Sequence, residues 1–178
     1  MSVTAIRCVV GFVAVAIVGR GLAAQASQPK VDPGWLRADS AAHSATLTLV
    51  AGLTSANGGM NFDGFGSGHL TVNVPTHWTV VLQFKNADQN LPHSAEVVPV
   101  TPTVPQGEVK PAFLHAETSS AGSGTPPEGK QDIRFVAGIP GQYWIFCAVA
   151  GHGAAGMWIH LNVADDLGAP NIEPTPDH

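Results

Sequence analysis

Three metal-seeking side chains stand at five-residue intervals in one short run, Cys147-Ala-Val-Ala-Gly-His152-Gly-Ala-Ala-Gly-Met157. The run follows the most aromatic stretch of the chain, Gly141-Gln-Tyr-Trp-Ile-Phe146. This C-x4-H-x4-M spacing constrains the fold strongly. Thiol, imidazole and thioether can meet only if the chain leaves a strand at Cys147, curls tightly and returns at Met157. Such a curl needs residues that are small or tolerate positive φ. Gly151, Gly153 and Gly156, with Ala148, Ala150, Ala154 and Ala155, supply them. Each ligand type alone would be ordinary, since an isolated Cys or Met is usually packing. Together they are the soft and borderline donors that a mononuclear type 1 copper site draws from one loop.

A fourth donor has to come from elsewhere, and His93 in Leu91-Pro-His-Ser94 is the best candidate. Two imidazoles and a thiolate in a plane, with a distant axial thioether, satisfy neither Cu(I) nor Cu(II) fully. Little then has to move when an electron does. Ser94 and Asn86 are candidates for hydrogen bonds around the site, and equally for ordinary turn residues. Phe146, Tyr143, Trp144 and Trp158 are expected to pack nearby and keep it dry, which favours a high reduction potential.

The N-terminus reads as a targeting segment. A short start with one basic residue, Arg7, leads into an apolar run over 8–19 and an A-x-A site at Ala24-Gln-Ala26. Twelve helical residues reach only about 18 Å, short of the ~30 Å hydrocarbon core. A cleaved signal peptide over 1–26 is therefore favoured, with an uncleaved N-terminal anchor as the alternative. Cleavage would leave Cys147 as the one remaining cysteine. An unpaired thiol in an oxidising compartment needs a mask, and metal coordination is one. A single thiol also argues against a binuclear copper centre. The processed chain would keep six basic and thirteen acidic side chains, a formal charge of −7, with no basic stripe for nucleic acid.

The remainder reads as an all-β sandwich or barrel. Segments 45–50, 69–74, 79–85, 94–100, 130–136, 141–147 and 157–163 alternate or are rich in β-branched and aromatic residues. Residues 60–64 read as a short strand ending in a turn. With 20 Gly and 14 Pro and no amphipathic helical period, about seven to eight strands are expected. Apolar residues on both faces of 141–147 place it centrally in a sheet. Residues 27–44 read as a flexible arm with Trp35 as an anchor. Residues 45–164 form the domain, with a long loop over 101–128 that carries at most one helical turn near 112–116. Residues 165–178 read as a polar tail.

These segments resemble the sulfocyanin branch of the cupredoxins and, more distantly, rusticyanin. The match runs from about 61 to 163 and is carried by Asn61-Phe-Asp-Gly64, Leu91-Pro-His-Ser94, Gly141-Gln-Tyr-Trp-Ile-Phe-Cys147 and Gly151-His-Gly-Ala-Ala-Gly-Met157. The resemblance implies a Greek-key β-sandwich and one copper per chain on His93, Cys147, His152 and Met157. It also implies an exported or periplasmic electron carrier rather than an enzyme, with a redox partner such as a cytochrome or terminal oxidase. Some relatives are membrane-anchored. A monomer is expected. The 101–128 loop and the acidic tail match nothing in that pattern.

Other copper functions fit less well. Storage or delivery proteins expose Met/His-rich or paired-Cys sites, and this chain has three Met, one of them the initiator. A copper enzyme needs further ligands or an open coordination position. His43, His69, His77, His115 and His160 are not clustered in sequence and read as solvated or core histidines.

Overall fold

Strands with alternating inward residues build two facing sheets in the computed structural model, which describes Met1 and residues 29–176. The signal-peptide or anchor segment lies outside the described residues, apart from Met1. Among the described residues the strands are β1 (Leu36–Asp39), β2 (Ser44–Ala51), β3 (Leu70–Pro75), β4 (Thr79–Asn86), β5 (Glu96–Pro99), β6 (Lys130–Val136), β7 (Gly141–Phe146), β8 (Trp158–Ala164) and β9 (Asn171–Pro174). One sheet has the order β1-β2-β4-β6 and the other β5-β7-β8-β3-β9. From β2 to β7 successive strands alternate between the sheets, so the chain crosses the core at each step. The expected all-β sandwich is thus the observed architecture. Among the described residues no helix is long and apolar enough to cross a membrane.

Alternation explains the packing. In β2, Ala45, Leu47, Leu49 and Ala51 are buried while their neighbours are half-exposed. Val80, Leu82 and Phe84 of β4, Ile133 and Phe135 of β6, and Ile159, Leu161 and Val163 of β8 meet them in one core. Each fully buried side chain of this size contributes about 1.5–3 kcal/mol relative to exposure. β7 is buried on both faces, as its sequence predicts. Tyr143, Ile145 and Cys147 face the main core. Trp144, Phe146 and Ala148 join a second cluster with Val98 and Ala121, flanked by Val104 and Trp158.

That second cluster explains the 101–128 segment. It holds no named strand, but it docks along the open edge of β5. Ala112 N–H donates to the Val97 carbonyl at 2.7 Å, Val97 N–H to Ala116 at 2.9 Å, and Thr118 N–H to Ala95 at 2.9 Å. An exposed edge is thereby capped, and Val104 and Ala121 cover the outer face of β7.

Two strands lie in segments expected to be loose. β1 occupies the flexible arm and pairs antiparallel with β2. β9 occupies the polar tail and pairs antiparallel with β3. Both are edge strands with mostly exposed side chains. Ladder hydrogen bonds hold them in place, with one apolar side chain of each, Leu36 and Ile172, packed on the core. Residues 60–64 form no strand: Phe62 makes isolated bridges to Ala51 and Phe65 around a tight turn.

Candidate metal centre

The site is assembled where β5 begins and β7 ends. These strands are antiparallel neighbours in register, Glu96 opposite Phe146. Cys147 is the residue after β7, and His93 lies three residues before β5, so the ladder brings them to one rim. His93 is fixed by two backbone bonds to Thr125, 3.1 Å to its carbonyl and 2.7 Å from its N–H. Asn86 supports this from behind, donating to the carbonyls of Leu91 (2.8 Å) and Thr125 (2.9 Å).

The loop from 147 to 157 closes on itself. Cys147 N–H donates to the Met157 carbonyl at 3.0 Å, and Met157 N–H to His152 at 3.0 Å. Neighbouring segments clamp it from outside. Asn57 Nδ2 reaches the Ala155 carbonyl at 2.8 Å, and Ser67 N–H reaches that of Gly156 at 2.7 Å. At Gly153 a Cβ would meet the Phe146 ring at 2.6 Å, so the loop lies against β7 only because no side chain intervenes.

Three donors converge. Nδ1 of His93 and Nδ1 of His152 are 3.2 Å apart. Cys147 Sγ lies 4.0 Å from the first and 3.6 Å from the second. Among the described residues these are the one grouping of His, Cys, Asp or Glu close enough to share an ion. Bonds of about 2.0 Å to nitrogen and about 2.3 Å to sulfur, set at trigonal angles, call for separations of roughly 3.5 Å (N to N) and 3.7 Å (S to N). The observed distances lie within about 0.3 Å of these, so the donors fit one ion at their centre. His93, Cys147 and Met157 are fully buried, and His152 is half-buried. Met157 is carried back beside Cys147 by the backbone bonds just described.

The electrostatics suit a metal in place of protons. Burial lowers the pKa of His93, against the pull of Asp88. Burial, then the His93 ring, lowers that of His152. Both rings are therefore disposed to be neutral, the form that ligates. Burial pushes the Cys147 thiol up, partly offset by the N–H groups of Ser94 and Val149. A bound cation would reverse this and hold the thiolate.

Other expected neighbours divide. Phe146 is fully buried and abuts the loop. Trp144 and Trp158 pack together at 5.1 Å on the outer face of β7 and β8. Tyr143 is not at the rim. It sits near the other end of β7, packed on Phe113 at 4.8 Å, and its hydroxyl donates to the Ile139 carbonyl at 2.9 Å. Sequence reasoning missed Asp88, whose Oδ2 lies 3.3 Å from His93 Nε2. The available signal was an acidic residue five positions before a candidate ligand, in a segment that otherwise reads as a polar loop.

Residues 34–172 match the sulfocyanin (SoxE) domain family. Sulfocyanin of Sulfolobus acidocaldarius is 30% identical over 131 residues, covering 70% of this chain and 65% of that protein. The chain thus spans just under two thirds of the length of that relative. Among solved structures, the copper protein rusticyanin has a TM-score of 0.53 at 20% identity, over 72% of this chain and 86% of its own. A chain from the crystal structures of substituted rusticyanins gives 0.56 at 18% identity, over 76% of this chain and 86% of its own. At these identities the structural likeness is one of fold.

Proposed function

The chain belongs to the sulfocyanin family, and from that premise we propose that it is a blue-copper electron carrier with one ion held by His93, Cys147, His152 and Met157. The observation that carries this reading is the convergence of two Nδ1 atoms and one Sγ on a common point at a dry rim of the sandwich. Copper, when bound, supplies the one-electron Cu(I)/Cu(II) couple. The protein's part is to hold donors that suit both states and to exclude water from them.

The buried faces of His93, Cys147 and Met157 close the site from the core side. His152 is the ligand that reaches the surface. It is ringed by exposed Ala150, Gly151, Ala154 and Ala155. These small residues let a partner's surface come close to the imidazole edge with little apolar area to release afterwards. A small, weak contact suits a transient redox encounter. The partner class is another redox protein, a cytochrome or terminal oxidase, met outside the cytoplasm by a monomeric carrier.

Reconstitution of the purified chain with Cu(II) tests the reading. An intense blue colour that ascorbate bleaches and oxidation restores supports a carrier. Colourless, readily chelated copper would replace it with delivery, and turnover of oxygen or nitrite without a partner would replace it with catalysis.

A further inference from the structure

We propose that Asp88 is a positioning residue for the copper site, fixing the ring orientation and tautomer of His93 through a hydrogen bond to Nε2. The inference rests on reading His93 as a ligand. It names a residue outside the four-ligand set that decides whether His93 can serve.

The carboxylate is held before it meets the imidazole. Asp88 Oδ1 accepts from the N–H groups of Asn90 at 2.8 Å and Leu91 at 3.0 Å. Its own N–H donates to Asn86 Oδ1 at 3.0 Å. These bonds account for a turn, and a turn needs only one carboxylate oxygen. The second oxygen, Oδ2, points to His93 Nε2 at 3.3 Å. Space for it exists because residue 59 is glycine: a Cβ there would stand 2.7 Å from Oδ2. The His93 side chain is fully buried and that of Asp88 is 12% exposed, so water competes poorly for the contact.

An ionised carboxylate can only accept. The proton on His93 is therefore placed on Nε2, and the bare lone pair on Nδ1, the atom that faces Cys147 Sγ and His152 Nδ1. The opposite tautomer would direct an N–H into the donor cluster. Outer carboxylates of this kind raise ligand basicity as well as fixing the ring. The added negative charge also favours the more positive oxidation state of the ion.

The test is Asp88→Asn in copper-loaded protein. The amide keeps an oxygen for the turn but presents NH2 to Nε2. Chelator competition is expected to show copper held about 10–100-fold more weakly, and the midpoint potential is expected to rise. Asp132→Asn, an exposed site on β6, removes the same charge without the contact and is expected to change neither appreciably. A lower melting temperature with unchanged affinity and potential would reduce Asp88 to a turn residue and overturn the proposal. If the variant does not accumulate, 15N NMR of the copper-free wild type decides the matter, because no metal then dictates which ring nitrogen carries the proton. A slowly exchanging proton on His93 Nε2 supports the proposal, and a bare Nε2 overturns it. Failure of the ligand reading itself shows separately, as wild-type protein that takes up copper without the blue colour.

Discussion

Ser94 addresses Cys147 twice. Its backbone N–H lies 3.3 Å from Sγ and its hydroxyl 3.7 Å, while the same hydroxyl oxygen accepts from Ala148 N–H at 2.9 Å. All three groups are buried. Hydrogen bonds to a ligating sulfur draw electron density from it and favour the reduced ion. Ser94→Ala keeps the backbone contact and removes the hydroxyl. The blue colour should persist and the potential should fall. One hydrogen bond at about 0.5–1.5 kcal/mol, at 59 mV per tenfold for one electron, corresponds to roughly 20–60 mV. Protein-film voltammetry reads this directly. The orphaned Ala148 N–H should also lower stability, by about 1–3 kcal/mol.

Replacing Cys147 with Ser removes the one sulfur that both Nδ1 atoms face. The intense absorption should vanish while the fold survives, because the side chains are nearly equal in size. Absorption and circular dichroism spectra check the two halves of this statement. A blue Cys147→Ser protein would refute the ligand assignment.

Met157→Leu conserves volume at a fully buried position and so should cost less than about 1.5 kcal/mol. On the proposed ligand set the thioether is a donor to the oxidised ion, and the substitution would remove it. The colour should remain and the potential should rise. An unchanged potential would locate the axial atom elsewhere.

Two buried carboxyls predict a stability that favours the acid side. Burial, then Glu117, pushes Glu96 up to about 7, opposed by Val109 N–H. Burial pushes Asp63 up to about 7, opposed by Val50 N–H. Both values lie above those of the unfolded chain, 4.5 and 3.8. The folded protein therefore keeps protons that the unfolded chain releases. The resulting stability is complete below about pH 4 and is lost as pH rises through 7. Each group contributes at most about 1.4 kcal/mol per pH unit over that window. Urea melts of the apo protein at several pH values should show the slope, and Glu96→Gln should flatten it by one group's share.

The candidate ligand loop was legible because Cys147, His152 and Met157 lie within eleven residues and the spacing itself is chemical. His93 was legible from its place between two strand patterns, which the β5–β7 ladder then brings to Cys147. Interior strands announced themselves through alternation, as in Ala45, Leu47 and Leu49. Edge strands did not. In β1 and β9 the side chains are mostly exposed, so no hydrophobic period marks them and only backbone pairing reveals them. The 101–128 segment was opaque for a related reason. Its buried residues, among them Phe113, Ala116 and Ala121, each fill a separate gap and follow no repeat. Asp88 was hidden because its neighbours Asn86, Asn90 and Leu91 make it look like any turn-forming aspartate.

The register of β5 against β7 separates what can drift from what cannot. Only Ser94 and Ala95 lie between His93 and the paired residue Glu96. One residue added there would swing every following side chain to the opposite face and carry the imidazole off the sulfur. The exposed start of the long connection that follows β5, residues 100–103, is under no such rule, since doubling a flexible loop costs only about 0.6 kcal/mol in closure entropy. Descendants of this chain are thus free to lengthen that stretch while keeping the Thr125 contacts that seat His93.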